Sequence, residues 1–162
     1  MDNRLEAIIG EDGEHAAKAA SLRGKVAIAN AKLAYKLFAD VIEGERFEAL
    51  ARAGATMQRP LWASTSTKNP DYPETLYVDE LIGPHTVNTV PPHTLDAFNA
   101  HGAVAETLTQ GVTEAQQVMD DLAAVGISID EVTNELEING VRAFSDSFAE
   151  LLATVEARRQ SA

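Results

Sequence analysis

One short stretch, residues 64–69, concentrates side chains that could bind a negatively charged ligand. It reads Ser-Thr-Ser-Thr-Lys-Asn and directly follows the apolar residues Leu61, Trp62 and Ala63. Hydroxyl donors, exposed backbone N–H groups and an ammonium match the oxygens of a phosphate. Serine, threonine and asparagine also suit ordinary turns, so a solvated turn is the alternative interpretation.

Lys68 could alternatively act as a Schiff-base nucleophile. Such a lysine needs burial or a neighbouring cation to become nucleophilic at neutral pH. Lys68 lies instead in a polar loop. The sequence therefore favours a charged, anion-binding lysine at this position.

The histidines do not have the spacing of a metal site. Three of the four, His85, His93 and His101, follow one another at steps of eight, and His15 lies far from them. Zinc needs ligands that converge on one point, which steps of eight do not provide. We expect surface or capping roles for them and no metal site.

Two pairs of adjacent acids, Asp79-Glu80 and Asp120-Asp121, resemble catalytic carboxylate pairs. Neighbouring residues on a helix point in different directions and cannot bracket one substrate bond. We interpret both pairs as parts of solvated helix faces.

The elements around residues 64–69 alternate between strand and helix. The predicted order is a strand, a loop, a helix, a strand and a helix, with bounds Arg59–Ser64, Ser64–Pro73, Glu74–Ile82, His85–Val90 and Thr94–His101. This alternation indicates a parallel sheet, and the unbroken apolar run before Ser64 is typical of a strand buried on both faces. A lone pair of strands is marginal in water. Either more strands are hidden in the segments predicted as helical, or the other strands lie outside this chain.

The remaining segments have helical periodicity. Ser21 to Ile42 is predicted as one long helix with two apolar faces. Thr113 with Gln116, and Ser128 with Glu131, have the spacing of capping boxes at helix starts.

The last helix is predicted to begin after Gly140, because glycine often marks a helix end. Apolar residues then recur at three- and four-residue steps, namely Val141, Phe144, Phe148, Leu151, Leu152 and Val155. We expect this stripe to pack against another surface.

Composition bounds the class of protein. The 162 residues are 45% hydrophobic and 23% charged, which suits one globular domain over residues 1–162. A net charge of −12 disfavours nucleic acid as a partner. The absence of cysteine excludes disulfides and thiol chemistry. No apolar run could span a membrane and no leader is recognisable at the amino terminus, so we expect a cytoplasmic protein.

Several segments resemble one enzyme family. RPLWASTSTKNP at residues 59–70 and TLYVDELIGPHTVNTVPPHTLDAF at residues 75–98 resemble the carboxyl-terminal half of transaldolase. The similarity is greatest to the larger bacterial form, which also occurs fused to glucose-6-phosphate isomerase. LRGKVAIANAKLAYKLF at residues 22–38 and INGVRAFSDSFAELLATVE at residues 138–156 are similar to the same family.

The resemblance implies a (β/α)8 TIM barrel and a sugar-phosphate reaction. Enzymes of this family move a dihydroxyacetone unit between sugar phosphates of the pentose phosphate pathway, through a lysine Schiff base and without a metal or an organic cofactor. By this resemblance, Arg59–Ser64 is the seventh strand and His85–Thr89 the eighth. The phosphate-binding serine of the family corresponds to Ser64, and its nearby basic residue corresponds to Lys68.

The resemblance also implies what the chain lacks. The Schiff-base lysine and the acid–base carboxylates of the family lie on the first, third and fourth strands, which have no counterpart here. We therefore assign no catalytic residue and expect the carboxyl-terminal portion of a barrel, a helix-dominated α/β fold with about two parallel strands, inactive by itself.

A partial barrel exposes strand edges and apolar helix faces. We therefore expect self-association or pairing with an amino-terminal half. Two alternatives remain. One is a non-catalytic, helix-rich module for phosphosugar binding or oligomerisation, and the other is a mainly helical domain without a parallel sheet.

Overall fold

Helices dominate the fold. A computed structural model describes residues 1–11 and 13–161. The elements in chain order are α1 Asp2–Gly10, α2 Ala16–Leu22, α3 Val26–Ile42, α4 Glu45–Arg52, β1 Leu61–Trp62, α5 Leu76–Asp79, β2 Val87–Asn88, α6 Pro92–His101, α7 Val112–Ala124 and α8 Ile129–Gln160. This confirms a helix-dominated α/β chain with two parallel strands. The alternative of a helical domain without a parallel sheet is wrong.

The two strands form a short parallel ladder in which Leu61 pairs with Val87 and Trp62 with Asn88. Both predicted strands were too long. The backbone turns into the left-handed region at Ser64, with φ of 57°, and at His85, with φ of 60°, which ends β1 and delays β2. Left-handed residues cannot continue a strand.

The prediction that the first strand is buried on both faces was wrong. Leu61 is 54% exposed, whereas Trp62 is half-buried beside the smaller core cluster. In the described residues the sheet has only these two strands, and no further strand shields the side chain of Leu61.

The long helix predicted from Ser21 to Ile42 is two helices. Ser21 belongs to α2, and the chain turns at Gly24, whose φ is +73°. A residue with a side chain is disfavoured in that conformation, and the aromatic ring of Tyr72 packs 3.5 Å from the position of an added Cβ. Gly24 therefore interrupts a helical pattern that continues on both sides.

Gly140, unlike Gly24, does not interrupt a helix. The last helix was predicted to begin after it, but α8 runs without interruption from Ile129 to Gln160. Glycine in a helix interior is less favourable than alanine by about 1 kcal/mol, which the favourable residues around it outweigh.

The two predicted capping boxes differ in outcome. The Ser128 hydroxyl accepts a hydrogen bond from the Glu131 backbone N–H at 3.3 Å, which confirms the N-cap of α8. The prediction at Thr113 and Gln116 was wrong. Gly111, in a left-handed conformation, precedes α7, and the Gln116 amide donates instead to Asp120.

Within residues 1–11 and 13–161, two apolar clusters form the core. The larger joins α1, α2 and α7 to the ends of α3 and α8 that face them; its buried members are Leu5, Ala19, Leu22, Val26, Leu122, Val125, Ile127 and Val132. The smaller contains Tyr35, Leu81 and Leu108 and packs against Trp62. This smaller cluster fixes the end of β1, from which the candidate binding loop departs.

Candidate phosphate-binding site

The predicted binding loop is a loop in the structure. It has no regular secondary structure between Trp62, which ends β1, and the turn before α5. Its first hydroxyl residue, Ser64, has the left-handed backbone conformation. Non-glycine residues in that conformation often mark functional sites, because the surrounding structure must stabilise them.

Hydrogen bonds within the chain hold this loop in shape. The buried Thr65 hydroxyl donates to Asn88 Oδ1 at 2.8 Å and so ties the loop to β2. The Thr67 hydroxyl lies 2.9 Å from the carbonyl oxygen of Pro73 and 3.1 Å from that of Glu74. Not all of the hydroxyls are therefore available to a ligand.

Ser64 and Lys68 lie on the wall of one cavity of about 370 Å³. Both residues are exposed. Lys68 is the only lysine or arginine among the described residues that line the cavity, and Asp2 is the only carboxylate. An ammonium and a hydroxyl in one cavity can bind an oxyanion, since both donate hydrogen bonds to it.

Other loop residues reach the same cavity. Ser66 is buried beside Thr65, and Asn69 lies at the far end of the hydroxyl-rich stretch. The Asn69 amide donates to Asp2 Oδ2 at 3.3 Å, and its Oδ1 accepts from the Asp71 backbone N–H at 3.0 Å. Asn69 is thus a structural residue of the loop, and it holds Asp2 at the rim.

Sequence reasoning missed the side chains that α1 and α5 contribute. Asp2 and Tyr77 line the cavity, together with the apolar Leu81 and two alanines of α3. Burial, and to a smaller extent the carboxylate of Asp2, raises the pKa of Tyr77, so its hydroxyl stays protonated at neutral pH. No local motif marks either residue, because only the tertiary fold brings them to the loop.

The acidic pair Asp79-Glu80, at the end of α5, has a structural role that the sequence did not reveal. Asp79 accepts hydrogen bonds from the Thr75 hydroxyl at 2.6 Å and from the Ala103 backbone N–H at 3.0 Å. Glu80 instead pairs with Lys32 at 3.3 Å. The two carboxylates therefore have different partners, and the interpretation of Asp79 as a purely solvated residue was wrong.

The histidines of the described residues form no metal-binding group and do not line the candidate cavity. His101 Nε2 lies 3.7 Å from a Glu74 carboxylate oxygen, and both side chains are exposed. Within residues 1–11 and 13–161, no group of three or more histidines or acids has the arrangement of a metal site. Over the same residues, no helix combines the length and apolar character needed to cross a membrane.

The chain matches one family over almost its whole length. Residues 3–155 match the sequence model of the Transaldolase/Fructose-6-phosphate aldolase family. A transaldolase of Mycolicibacterium paratuberculosis is 48% identical over 164 residues, which cover 100% of this chain and 42% of the relative. A transaldolase of Parafrankia sp. is 51% identical over 146 residues, covering 90% of this chain and 40% of the relative. A transaldolase of Frankia alni is 49% identical over 156 residues, which cover 96% of this chain and 42% of the relative.

These relatives are much longer than the chain. The 162 residues span about two fifths of the length of the curated relatives that they match.

Proposed function

The chain belongs to the transaldolase/fructose-6-phosphate aldolase family, and from this premise we propose that the loop after β1 binds the phosphate group of a sugar phosphate. The proposal depends on one observation, that Ser64 and Lys68 line the same cavity. The Ser64 hydroxyl donates a hydrogen bond to a phosphate oxygen, and the Lys68 ammonium neutralises its charge. Because Lys68 is the only cation at this cavity among the described residues, it supplies most of the attraction.

The position of the loop in the fold supports this proposal. In (β/α)8 barrels, ligand groups lie at the carboxyl ends of the strands, and phosphates are held by loops after late strands. We propose that β1 and β2 are neighbouring strands of such a barrel, corresponding to its seventh and eighth. Their parallel pairing and the loop at the carboxyl end of β1 agree with that assignment.

The reaction itself is proposed from the family. Its members transfer a dihydroxyacetone unit between sugar phosphates of the pentose phosphate pathway, through a lysine Schiff base. We assign the chain to the phosphate-binding side of that reaction and give it no catalytic residue. The lysine that forms the Schiff base belongs to a part of the family sequence to which no residue of this chain corresponds.

Removal of the Lys68 ammonium tests the binding site. Lys68→Ala weakens binding of fructose 6-phosphate by about 1.5–3 kcal/mol, the contribution of one charged hydrogen bond, as measured by titration calorimetry. Lys36→Ala is the matched control, because Lys36 is an exposed lysine of α3 that pairs with Asp40 and does not line the cavity. Equal affinities of both variants and of the parent chain would show that the loop is only a turn.

The absence of a nucleophile is tested by turnover. The purified 162-residue chain, supplied with a ketose phosphate and an aldose phosphate, is expected to show no transfer, because the covalent step has no lysine to carry it. Borohydride is likewise expected to trap no sugar on any of the lysines, Lys18, Lys25, Lys32, Lys36 and Lys68. A full-length transaldolase is the positive control. Turnover, or one trapped lysine, refutes the assignment.

A second candidate function is that of a non-catalytic module that associates with a partner chain. Its supporting observation is α8, on which the apolar residues Val141, Phe144, Phe148, Leu151, Leu152 and Val155 are 53–83% exposed. If the chain forms part of a family barrel, that partner is the remainder of the barrel. If the chain is isolated, the partner is a second copy of the chain.

A further inference from the structure

A second cavity, of about 430 Å³, lies between α3, α5 and α7. Among the described residues, it shares no lining residue with the candidate phosphate cavity. Helix α3 contributes to both cavities, with Ala27 and Ala31 at the first and Ile28 and Lys32 at the second. Nothing in the proposed sugar-phosphate reaction uses this second cavity.

Positive charge is concentrated there. Arg23, Lys25 and Lys32 line the cavity, with Glu80 as the only carboxylate among the described lining residues. This excess stands out in a chain with 25 acids and 13 bases. Lys32 lies 3.3 Å from Glu80. Arg23 has two carboxylate contacts, with Glu6 at 2.8 Å from Nε and with Asp71 at 4.0 Å from Nη2. No such carboxylate contact is found for Lys25 within the described residues, so its charge is available to an anion.

Two polar atoms of the cavity side chains are enclosed by protein. They are Arg23 Nε and the Tyr72 hydroxyl, each with almost no accessible surface. Burial, and next the hydrogen bond with the Asp2 carboxylate, raises the pKa of Tyr72. Because neither atom reaches the open space of the cavity, a ligand there meets the exposed Lys25 ammonium.

The rest of the wall is apolar. Ile28, Leu76 and Val118 line it, and Ala29 and Ala115 form a buried, close-packed base. Its volume of about 430 Å³ lies in the range of small-molecule sites, which are mostly apolar with a few placed polar groups. A free inorganic ion would leave these walls without a partner.

We propose that this cavity binds a small organic anion with a compact apolar body. The carboxylate or phosphate group of the ligand accepts hydrogen bonds from the exposed Lys25 ammonium, and the nearby charges of Arg23 and Lys32 add to the attraction. Its apolar body packs against Ile28 and Val118. The site goes beyond the sugar-phosphate function, since sugars offer no apolar body of this kind.

The test titrates the 162-residue chain with phenyl phosphate and, separately, with phenylacetate, by calorimetry. Saturable binding of at least one of them is expected, tighter than that of inorganic phosphate, and the stronger of the two identifies the head group. Lys25→Gln weakens this binding by about tenfold or more, and Lys25→Glu weakens it further. The matched control Lys36→Gln, on α3, which Lys25 directly precedes, but away from the cavity, leaves this binding unchanged.

Variants of the other cavity separate this proposal from the phosphate site. Ser64→Ala and Lys68→Ala are expected to leave the binding of phenyl phosphate and phenylacetate unchanged. This expectation holds whether or not the same two variants weaken the binding of fructose 6-phosphate, so the two proposals can fail separately. The proposal is overturned if neither aromatic anion saturates at millimolar concentration, or if inorganic phosphate binds as tightly. Equal affinities of Lys25→Gln and Lys36→Gln, or loss of binding in Lys68→Ala, also overturn it.

Discussion

Ser64 combines an unfavourable backbone conformation with the hydroxyl proposed to bind phosphate. Its φ of 57° lies in the left-handed region, which raises the energy of a residue with a Cβ by about 1–2 kcal/mol. The Thr65–Asn88 hydrogen bond at 2.8 Å holds the next residue to β2 and so helps to maintain this turn. The conformation ends the strand and places the loop at its carboxyl end.

Replacement of Ser64 separates backbone strain from ligand chemistry. Ser64→Gly and Ser64→Ala both remove the hydroxyl, so both are expected to weaken phosphate binding to a similar degree. The glycine variant is expected to be more stable to urea than the alanine variant by about 1 kcal/mol, because only glycine adopts positive φ without penalty. Equal unfolding free energies would show that the turn stores no strain.

At the scale of residues, the sequence identified the loop side chains that line the cavity but not the side chains that other helices bring beside them. The hydroxyls and the lysine were evident because they are contiguous, and Ser64 and Lys68 line one cavity. Asp2 and Tyr77 line the same cavity but carried no signal. Their approach depends on how α1 and α5 pack against the loop, which no local pattern encodes.

At the scale of elements, glycine had two different effects. Gly24, with φ of +73°, divides a helical pattern into α2 and α3, whereas Gly140 lies within a continuous α8. An added Cβ at Gly140 would meet nothing within 4 Å. The difference is set by whether tertiary packing requires the chain to turn, as it does where Gly24 meets Tyr72.

Matched alanine substitutions test this difference. Gly24→Ala is expected to destabilise the fold by about 1–2 kcal/mol, because alanine is strained at positive φ. Gly140→Ala is expected to favour the helix by about 1 kcal/mol. Urea unfolding measures the first change, and hydrogen exchange of the amides on either side of residue 140 measures the second. A destabilising Gly140→Ala would mean that α8 bends or ends at this glycine in solution.

At the scale of the whole molecule, only the first turns of α8 pack against the rest of the described chain. Its first turns pack on α7 through Val132, but the apolar stripe that follows is exposed. Contiguous exposed apolar patches usually mark an interaction surface. We therefore propose this stripe as the surface through which the chain associates.

Association of the isolated chain is expected to depend on this stripe. Light scattering across a concentration series is expected to show self-association, which the double variant Phe144→Glu with Phe148→Glu reduces because charges cannot be buried without a partner. Ala143→Glu adds a charge to the same helix at an exposed position on the face away from the stripe and is the control. A chain that stays monomeric at every concentration contradicts this expectation.

The sequence alone determined the composition of the loop proposed to bind phosphate, the order of strands and helices around it, and the family. These follow from local chemistry: hydroxyls, apolar periodicity and turn residues act within a few positions of one another. Only the tertiary structure decided that Leu61 and the α8 stripe are exposed, that the helix pattern breaks at Gly24, and that Asp2 and Tyr77 reach the loop. Burial and shape depend on elements distant in sequence, and their packing determines which face of each helix meets a neighbour or a cavity.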